Sequence, residues 1–286
     1  IFSAYYNITA AGNWEHGNSI LLRNETDVAV AEAFKITVEE LKSKIDAAKV
    51  KLMQVRNSRI KPGLDDKILS SWNALMITGY AKAYRVFGEE AFLNAAVTNA
   101  NFLLKKAIAA DGEMTRNYKN GRSSINALLD DYAFTIAAFI ELYQATFDEK
   151  WLTEANKITS YTLEHFFDAS SGMFFYTHNQ YADLIARKME LSDNVIPSSN
   201  SEMAKNLFLL GHFLNKDEYI SKAKQMLINV EADVQRNIYF YANWGMLQAL
   251  FTSPLYEVAI MGDDFKNKRQ QFDEHYLPNV ILLGGN

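Results

Sequence analysis

From Trp72 onward, large apolar residues recur at alternating steps of four and three. Trp72, Met76, Gly79 and Ala83 make one such stripe, and Phe92, Ala96, Asn99 and Leu103 make another after the Phe87-Gly88-Glu89 break. That rhythm marks one face of an α-helix, so the two stripes predict a helical hairpin. Tyr132, Ile136, Phe139 and Tyr143, then Trp151, Ala155, Ile158 and Thr162, predict a second hairpin. Met203, Leu207, Leu210 and Leu214, then Tyr219, Ala223, Met226 and Val230, predict a third, and Trp244 to Phe251 begins a fourth. Upstream, Thr37-Val-Glu-Glu40 is a capping-box pattern. Val38, Leu41, Ile45, Ala48, Leu52 and Val55 extend it into a helix that ends near Asn57. The first segment, with Phe2 to Ile8, Gly12-Asn13-Trp14-Glu15 and Ser19 to Leu22, predicts two short strands around a turn.

The joints repeat as well. Asp65-Asp66 and Asp130-Asp131 each precede the first helix of a hairpin, and Gly112 and Gly172 each follow the second helix. Each unit therefore reads as helix, turn, helix, then a glycine-marked extended segment, the pattern of stacked helical hairpins. Small residues at Gly79 and Ala83 favour an inner layer of crowded helices, so the expected fold is mainly α, of the α/α toroid type. After Ser253-Pro254 the period changes. Leu255 to Met261 and Asn279 to Leu283 are strand-like and flank a helix-like Asp264 to Tyr276, predicting a small C-terminal β-α-β unit. The expected domains are 1–253, a partial ring of hairpins, and 254–286. At least seven helices are expected between Thr37 and Phe251.

Composition narrows the chemistry. The 286 residues are 49% hydrophobic and 22% charged, with a formal net charge of -5 and no cysteine. Such a chain buries a sizeable core, offers no basic stripe for nucleic acid, and has no thiol for disulfides, redox chemistry or metal. Apolar stretches fall short of the roughly 20 residues that span a bilayer, so neither a membrane nor nucleic acid is an expected partner. His16, His165, His178, His212 and His275 are scattered without metal-ligand spacing, and P-loop, GxGxxG and GxSxG patterns are missing. No metal or cofactor is expected. The opening at Ile1 reads as part of a longer chain, and the expected location is cytoplasmic.

Carboxylates and aromatics remain. Arg59, Asp65, Asp66, Trp72 and Asn73 crowd one predicted helix entrance, and Asp130-Asp131-Tyr132 repeats acid beside aromatic one unit on. Sugars present apolar ring faces to Trp or Tyr, hydroxyls to Asp and Asn, and glycosidic oxygens that need an acid. This makes Asp65, Asp66, Asp130 and Asp131 the candidate catalytic acids. Arg59, Trp72, Asn73, Tyr132, Asp193, Asn200 and Trp244 are the candidate binding residues. A plainer account competes: acids in a first helical turn satisfy free N–H groups, and the aromatics belong to core stripes. Of Asp65 and Asp66, one is expected to cap and the other to face a cleft holding Trp72 or Tyr132.

The string Arg-x-x-Pro-x-x-Asp-Asp-Lys-x-x-x-x-Trp-Asn from Arg59 to Asn73 resembles the YyaL-type thioredoxin-domain-containing proteins, related to spermatogenesis-associated thioredoxin-like proteins of animals. Gly12-Asn13-Trp14-Glu15, Asp193 with Pro197-Ser198-x-Asn200, and Tyr256-Glu-Val-x-Ile-x-Gly262 agree with it. The resemblance implies a thioredoxin-like domain outside this chain and a toroid similar to N-acylglucosamine 2-epimerases and six-hairpin glycosidases. The catalytic histidines of an epimerase match no position here. Two functions are carried forward: a carbohydrate-binding or carbohydrate-processing domain, and a non-catalytic scaffold for a protein partner. A partial ring would expose apolar surface, which a partner segment or a homodimer would cover.

Overall fold

The computed structural model describes residues 1–180 and 186–285. It divides into two compact units, Ile1–Asp65 and Asp66–Asn286, and Asn286 at the end of the expected C-terminal unit lies outside the described residues. The first unit holds α1 (Phe2–Tyr5), α2 (Asp27–Ala33) and α3 (Val38–Ser58). The predicted capping box at α3 is present, with Thr37 and Glu40 exchanging side-chain-to-backbone bonds. The two predicted strands do not form. Between α1 and α2 the chain is organised by one side chain: Asn13 donates to the carbonyls of Asn7 and Ile20 and accepts the Ile20 N–H. A ladder is therefore replaced by a side-chain clamp. Gly12 has φ +79°, and a Cβ there would meet the backbone of Gly17 and Asn18 at 2.5 Å, so only glycine fits. Leu41 and Ile45 of α3 pack with Val30 and Ala31, whereas Leu52 and Val55 of the same predicted stripe are exposed.

The second unit begins with β1 (Ile68–Leu69), α4 (Ser70–Phe87) and α5 (Glu90–Lys106), followed by β2 (Asn117–Lys119) and β3 (Arg122–Ser123). Next come α6 (Leu129–Thr146), α7 (Lys150–His165), β4 (Phe167–Asp168) and β5 (Met173–Phe174). The last elements are α8 (Ser199–Leu214), α9 (Asp217–Arg236), α10 (Ala242–Thr252), β6 (Tyr256–Met261), α11 (Phe265–Asp273) and β7 (Val280–Gly285). The predicted hairpins and the closing strand-helix-strand unit are all present. α4, α6, α8 and α10 pack side by side as an inner layer, and α5, α7 and α9 each back onto the preceding inner helix, an arrangement of α/α toroid type. Short antiparallel pairings join successive hairpins at the glycine-marked segments.

The buried side of α4 differs from the predicted stripe. Ala74, Ile77, Ala81 and Tyr84 face the core, while Trp72 and Met76 are 64% and 51% exposed. A Cβ on Gly79 would meet nothing within 4 Å, so this glycine does not mark a crowded seam. Half of the buried apolar face of α4 is alanine, Ala74 and Ala81, which carries little periodic signal beside the larger, exposed Trp72 and Met76.

β6 and β7 pair in parallel, with Ile260 and Leu282 packed on Phe147. Buried Asp273 of α11 joins Arg269 and, at 2.9 Å, Arg85 of α4, clamping the β-α-β unit to the helices. Among the described residues no helix is long and apolar enough to cross a membrane.

Gly211 tests the packing of the third hairpin. A Cβ there would sit 2.4 Å from Ile220 Cγ1 and 3.1 Å from its backbone nitrogen, at the turn from α8 into α9. Gly211→Ala is expected to lower stability by about 1–3 kcal/mol in urea unfolding through overpacking. Unchanged stability would show that the hairpin opens at no cost.

Candidate functional site

Inner helices run parallel, so their free N–H groups and positive dipole ends collect at one end of the second unit. The direction is visible in the bonds between them. Asn206 Nδ2, midway along α8, donates to the Ala133 carbonyl in the second turn of α6, at 2.7 Å. At the helix starts, Asp131 Oδ1 accepts the Ser71 N–H of α4 at 2.9 Å, and its Oδ2 accepts the Leu128 N–H at the start of α6 at 3.0 Å. One carboxylate thus closes two helices. Asp193 does the same for α8 and α10, taking the Ser198 N–H on Oδ1 and the Asn243 N–H on Oδ2, each at 2.8 Å. Glu190 Oε2 accepts the Ser199 N–H at 3.0 Å. Asn200 in the first turn of α8 fixes β5, accepting the Phe174 N–H and donating to the Phe174 and Glu190 carbonyls.

Two further charged groups sit among these caps. Arg116 donates to Asp130 Oδ1 at 2.9 Å and Asp131 Oδ2 at 2.8 Å, and the Tyr176 phenol is a neighbour of Asp130. One helix along, Lys205 donates to Glu202 Oε2 at 2.7 Å and Asn243 Oδ1 at 3.2 Å, while Asn243 Nδ2 donates to the same Glu202 oxygen. Burial pushes the Asp131 carboxyl up to about 6, with the Asp130 charge adding and Arg116 and two backbone N–H groups opposing. Burial works against the Arg116 charge, but Asp131 and Asp130 hold it above its ordinary range. Burial, then the Asp130 charge, raises the Tyr176 phenol. Among the described residues no three of His, Asp and Glu are grouped to hold a metal ion.

The candidate residues separate into distinct places. Arg59 and Asp65 belong to the first unit. Asp66 is exposed in the segment before β1 and pairs with Lys119. The expectation that one of Asp65 and Asp66 caps α4 is corrected, because α4 starts at Ser70 and receives its cap from Asp131. Aligning the helix starts, Ser70 with Leu129, sets Ser71 rather than Asp66 opposite Asp130. Trp72 stands exposed on the first turn of α4, and Asn73 bonds the Leu69 carbonyl and the Asn99 side chain. Tyr132 is buried, accepts the Met114 N–H and stacks on Tyr161, so it lines no open cleft. Trp244 is buried and donates to the Leu191 carbonyl. Asp130, Asp131, Asp193 and Asn200 are gathered at the inner-helix starts. Sequence reasoning missed Arg116, Tyr176, Glu190, Glu202 and Lys205. The available signal was a charge between apolar neighbours in a joint, which Met189-Glu190-Leu191 shows and Thr115-Arg116-Asn117 does not.

No family model matches the chain. It is similar to spermatogenesis-associated protein 20 of Homo sapiens, 27% identical across 98% of this chain and 38% of that protein. An uncharacterized protein of Caenorhabditis elegans is 31% identical across 79% of this chain and 33% of its own length. The chain therefore spans little more than a third of the curated relatives it matches. Among solved structures, a GH76 alpha-mannanase of Bacteroides thetaiotaomicron is 18% identical with TM-score 0.48, over 60% of this chain and 47% of that one. Cellobiose 2-epimerase of Bacillus thermoamylovorans is 15% identical with TM-score 0.47, over 56% and 43%.

The position of Asp131 sets a pH dependence. Its carboxyl titrates near 6 in the fold against an ordinary 3.8, so over that interval the native state keeps a proton that the unfolded chain has released. Its stabilising contribution is full below about 3.8 and lost as pH rises through about 6. Asp131→Asn is expected to lower stability at every pH, because an amide cannot accept on both sides, while lacking this fall between pH 4 and 6. Urea midpoints at pH 4, 5, 6 and 7 check it, and parallel curves for the two proteins would refute the assignment.

Proposed function

We propose that the starts of the inner helices form a carbohydrate site of glycosidase-like or epimerase-like character. The observation that carries this reading is the bonding of Asp130. Among the described residues its side chain takes no backbone N–H, unlike Asp131, Glu190 and Asp193, and it is bonded instead by Arg116, with the Tyr176 phenol as a neighbour. A carboxylate released from capping, beside a guanidinium and a phenol, is suited to exchange a proton with a sugar oxygen. Apolar surface for ring stacking lies at the same end. Trp72 opens α4, and Tyr239, 80% exposed, precedes α10 on the far flank of α6 and α8. The Glu202-Lys205-Asn243 group between them offers donors and acceptors to hydroxyls.

In the same reading the chain is the toroid portion of a longer cytoplasmic protein of the YyaL type, whose thioredoxin-like domain lies outside this sequence. The scaffold alternative draws its support from the capping roles of Asp131, Glu190 and Asp193. These roles are compatible with a sugar site, because they occupy different carboxylates from Asp130.

Asp130→Asn separates the two readings. Calorimetric titration with a panel of neutral mono- and disaccharides is expected to show binding by the native chain and a loss of at least tenfold in the variant. The melting temperature should stay within a few degrees, since no cap is removed. Should no sugar bind the native chain, or should Asp130→Asn bind sugars unchanged, the carbohydrate reading fails and the scaffold reading stands.

A further inference from the structure

The two strands of the C-terminal unit differ in how their outer edges are finished. Tyr256 N–H donates to the Asn279 carbonyl and Gly262 N–H to the Gly285 carbonyl, so residues 256, 258, 260 and 262 turn their backbone groups toward β7. On the far side of β7, Leu282 N–H donates to Gln144 Oε1 at 3.3 Å, and the Tyr143 hydroxyl is a neighbour of the Gly284 backbone. α6 thus closes the β7 edge. By the same alternation, Glu257, Ala259 and Met261 present their N–H and carbonyl groups away from β7, and no described residue pairs with them. All three are exposed, whereas Val258 and Ile260 turn toward Phe147 and Phe265. The six-residue edge has neither lysine nor proline, and Glu257 is its one charged side chain.

We propose that β6 pairs antiparallel with β6 of a second copy of this chain, on a two-fold axis through Ala259. Glu257 then lies opposite Met261 of the other copy, Ala259 opposite itself, and each pair exchanges both N–H···O bonds. The arrangement suits this edge for three reasons. The smallest side chain sits on the axis, where the two copies approach most closely. The only charge facing the partner, Glu257, is kept roughly 13 Å from its counterpart by four residues of strand. It is also already paired with His212 at 2.8 Å. The result is a sheet in the order β7-β6-β6-β7 whose outer edges are both closed by α6, so the pairing ends at two copies instead of propagating.

The absence of cysteine from the chain makes the register directly measurable. Antiparallel bonded partners have Cα atoms about 5.5 Å apart, inside the disulfide range of about 4.4–6.8 Å. Ala259→Cys is expected to form a covalent dimer on mild oxidation, and Glu257→Cys alone is not. A mixture of Glu257→Cys and Met261→Cys is expected to give the mixed dimer. Ala259→Pro removes only an outward N–H, so it should weaken dimerisation at least tenfold in sedimentation equilibrium with an unchanged far-UV spectrum. Met261→Lys should do the same through charge. A native chain that is monomeric at 100 μM, a dimer insensitive to both substitutions, or equal crosslinking of Glu257→Cys and Ala259→Cys would overturn the proposal. Capture of an extended peptide on the β6 edge by a monomeric chain would replace it with a different occupant.

Discussion

Four parallel helices that start side by side create a concentration of unpaired N–H groups and like dipole ends. The joints between hairpins must satisfy it. The solution in this chain is economical, because carboxylates at helix seams serve two helices at once: Asp131 joins α4 to α6, and Asp193 joins α8 to α10. Each of these bonds is worth more than a neutral one because the acceptor is charged. Each also fixes the axial register of neighbouring helices, since both N–H groups must reach the same side chain. The inner layer is thereby locked at its polar end by electrostatics and along its length by Ala, Ile and Leu packing.

This constraint also shapes what chemistry is available. An oxygen already accepting a backbone N–H at a helix start cannot leave it without uncovering a buried donor, which costs about 1–3 kcal/mol. Acids at this end therefore divide into those committed to structure and those held by other side chains. Asp130, bonded to Arg116, and Glu202, bonded to Lys205 and Asn243, belong to the second group. Adjacent residues in one first turn, Asp130 and Asp131, thus carry different duties.

The hairpins were legible where helices bury large residues on one face. Trp151, Ala155, Ile158 and Thr162 of α7, like Tyr219, Ala223, Met226 and Val230 of α9, are all buried as their spacing requires. α4 was misread because its exposed Trp72 and Met76 outweigh the small Ala74 and Ala81 of its buried face, and the first segment was misread because a single asparagine, not alternation, organises it. The site was half legible. The acid pair in α6 stands out by composition, but Arg116, Tyr176 and Glu190 reach it from joints whose residues show no period. The Asp65-Asp66 pair imitates the α6 pair in composition while lying several residues before the helix start, so charge pattern alone misaligned the repeat.

α6 explains why the two ends of the second unit are not independent. Nearly every residue of it is buried, the expected state of a helix that is apolar all round. Its first turn carries Asp130 and Asp131, and its last turns carry Gln144, which bonds the edge of β7 at Leu282, and lead into Phe147, on which Ile260 and Leu282 pack. A helix enclosed by α4, α7 and α8 cannot shift along its axis without breaking close packing on several sides at once. The polar end and the strand pair therefore take their positions from one rigid element. A substitution in the middle of α6 would disturb the carboxylates and the β6–β7 pair together, whereas one on the outward face of α9 would reach neither.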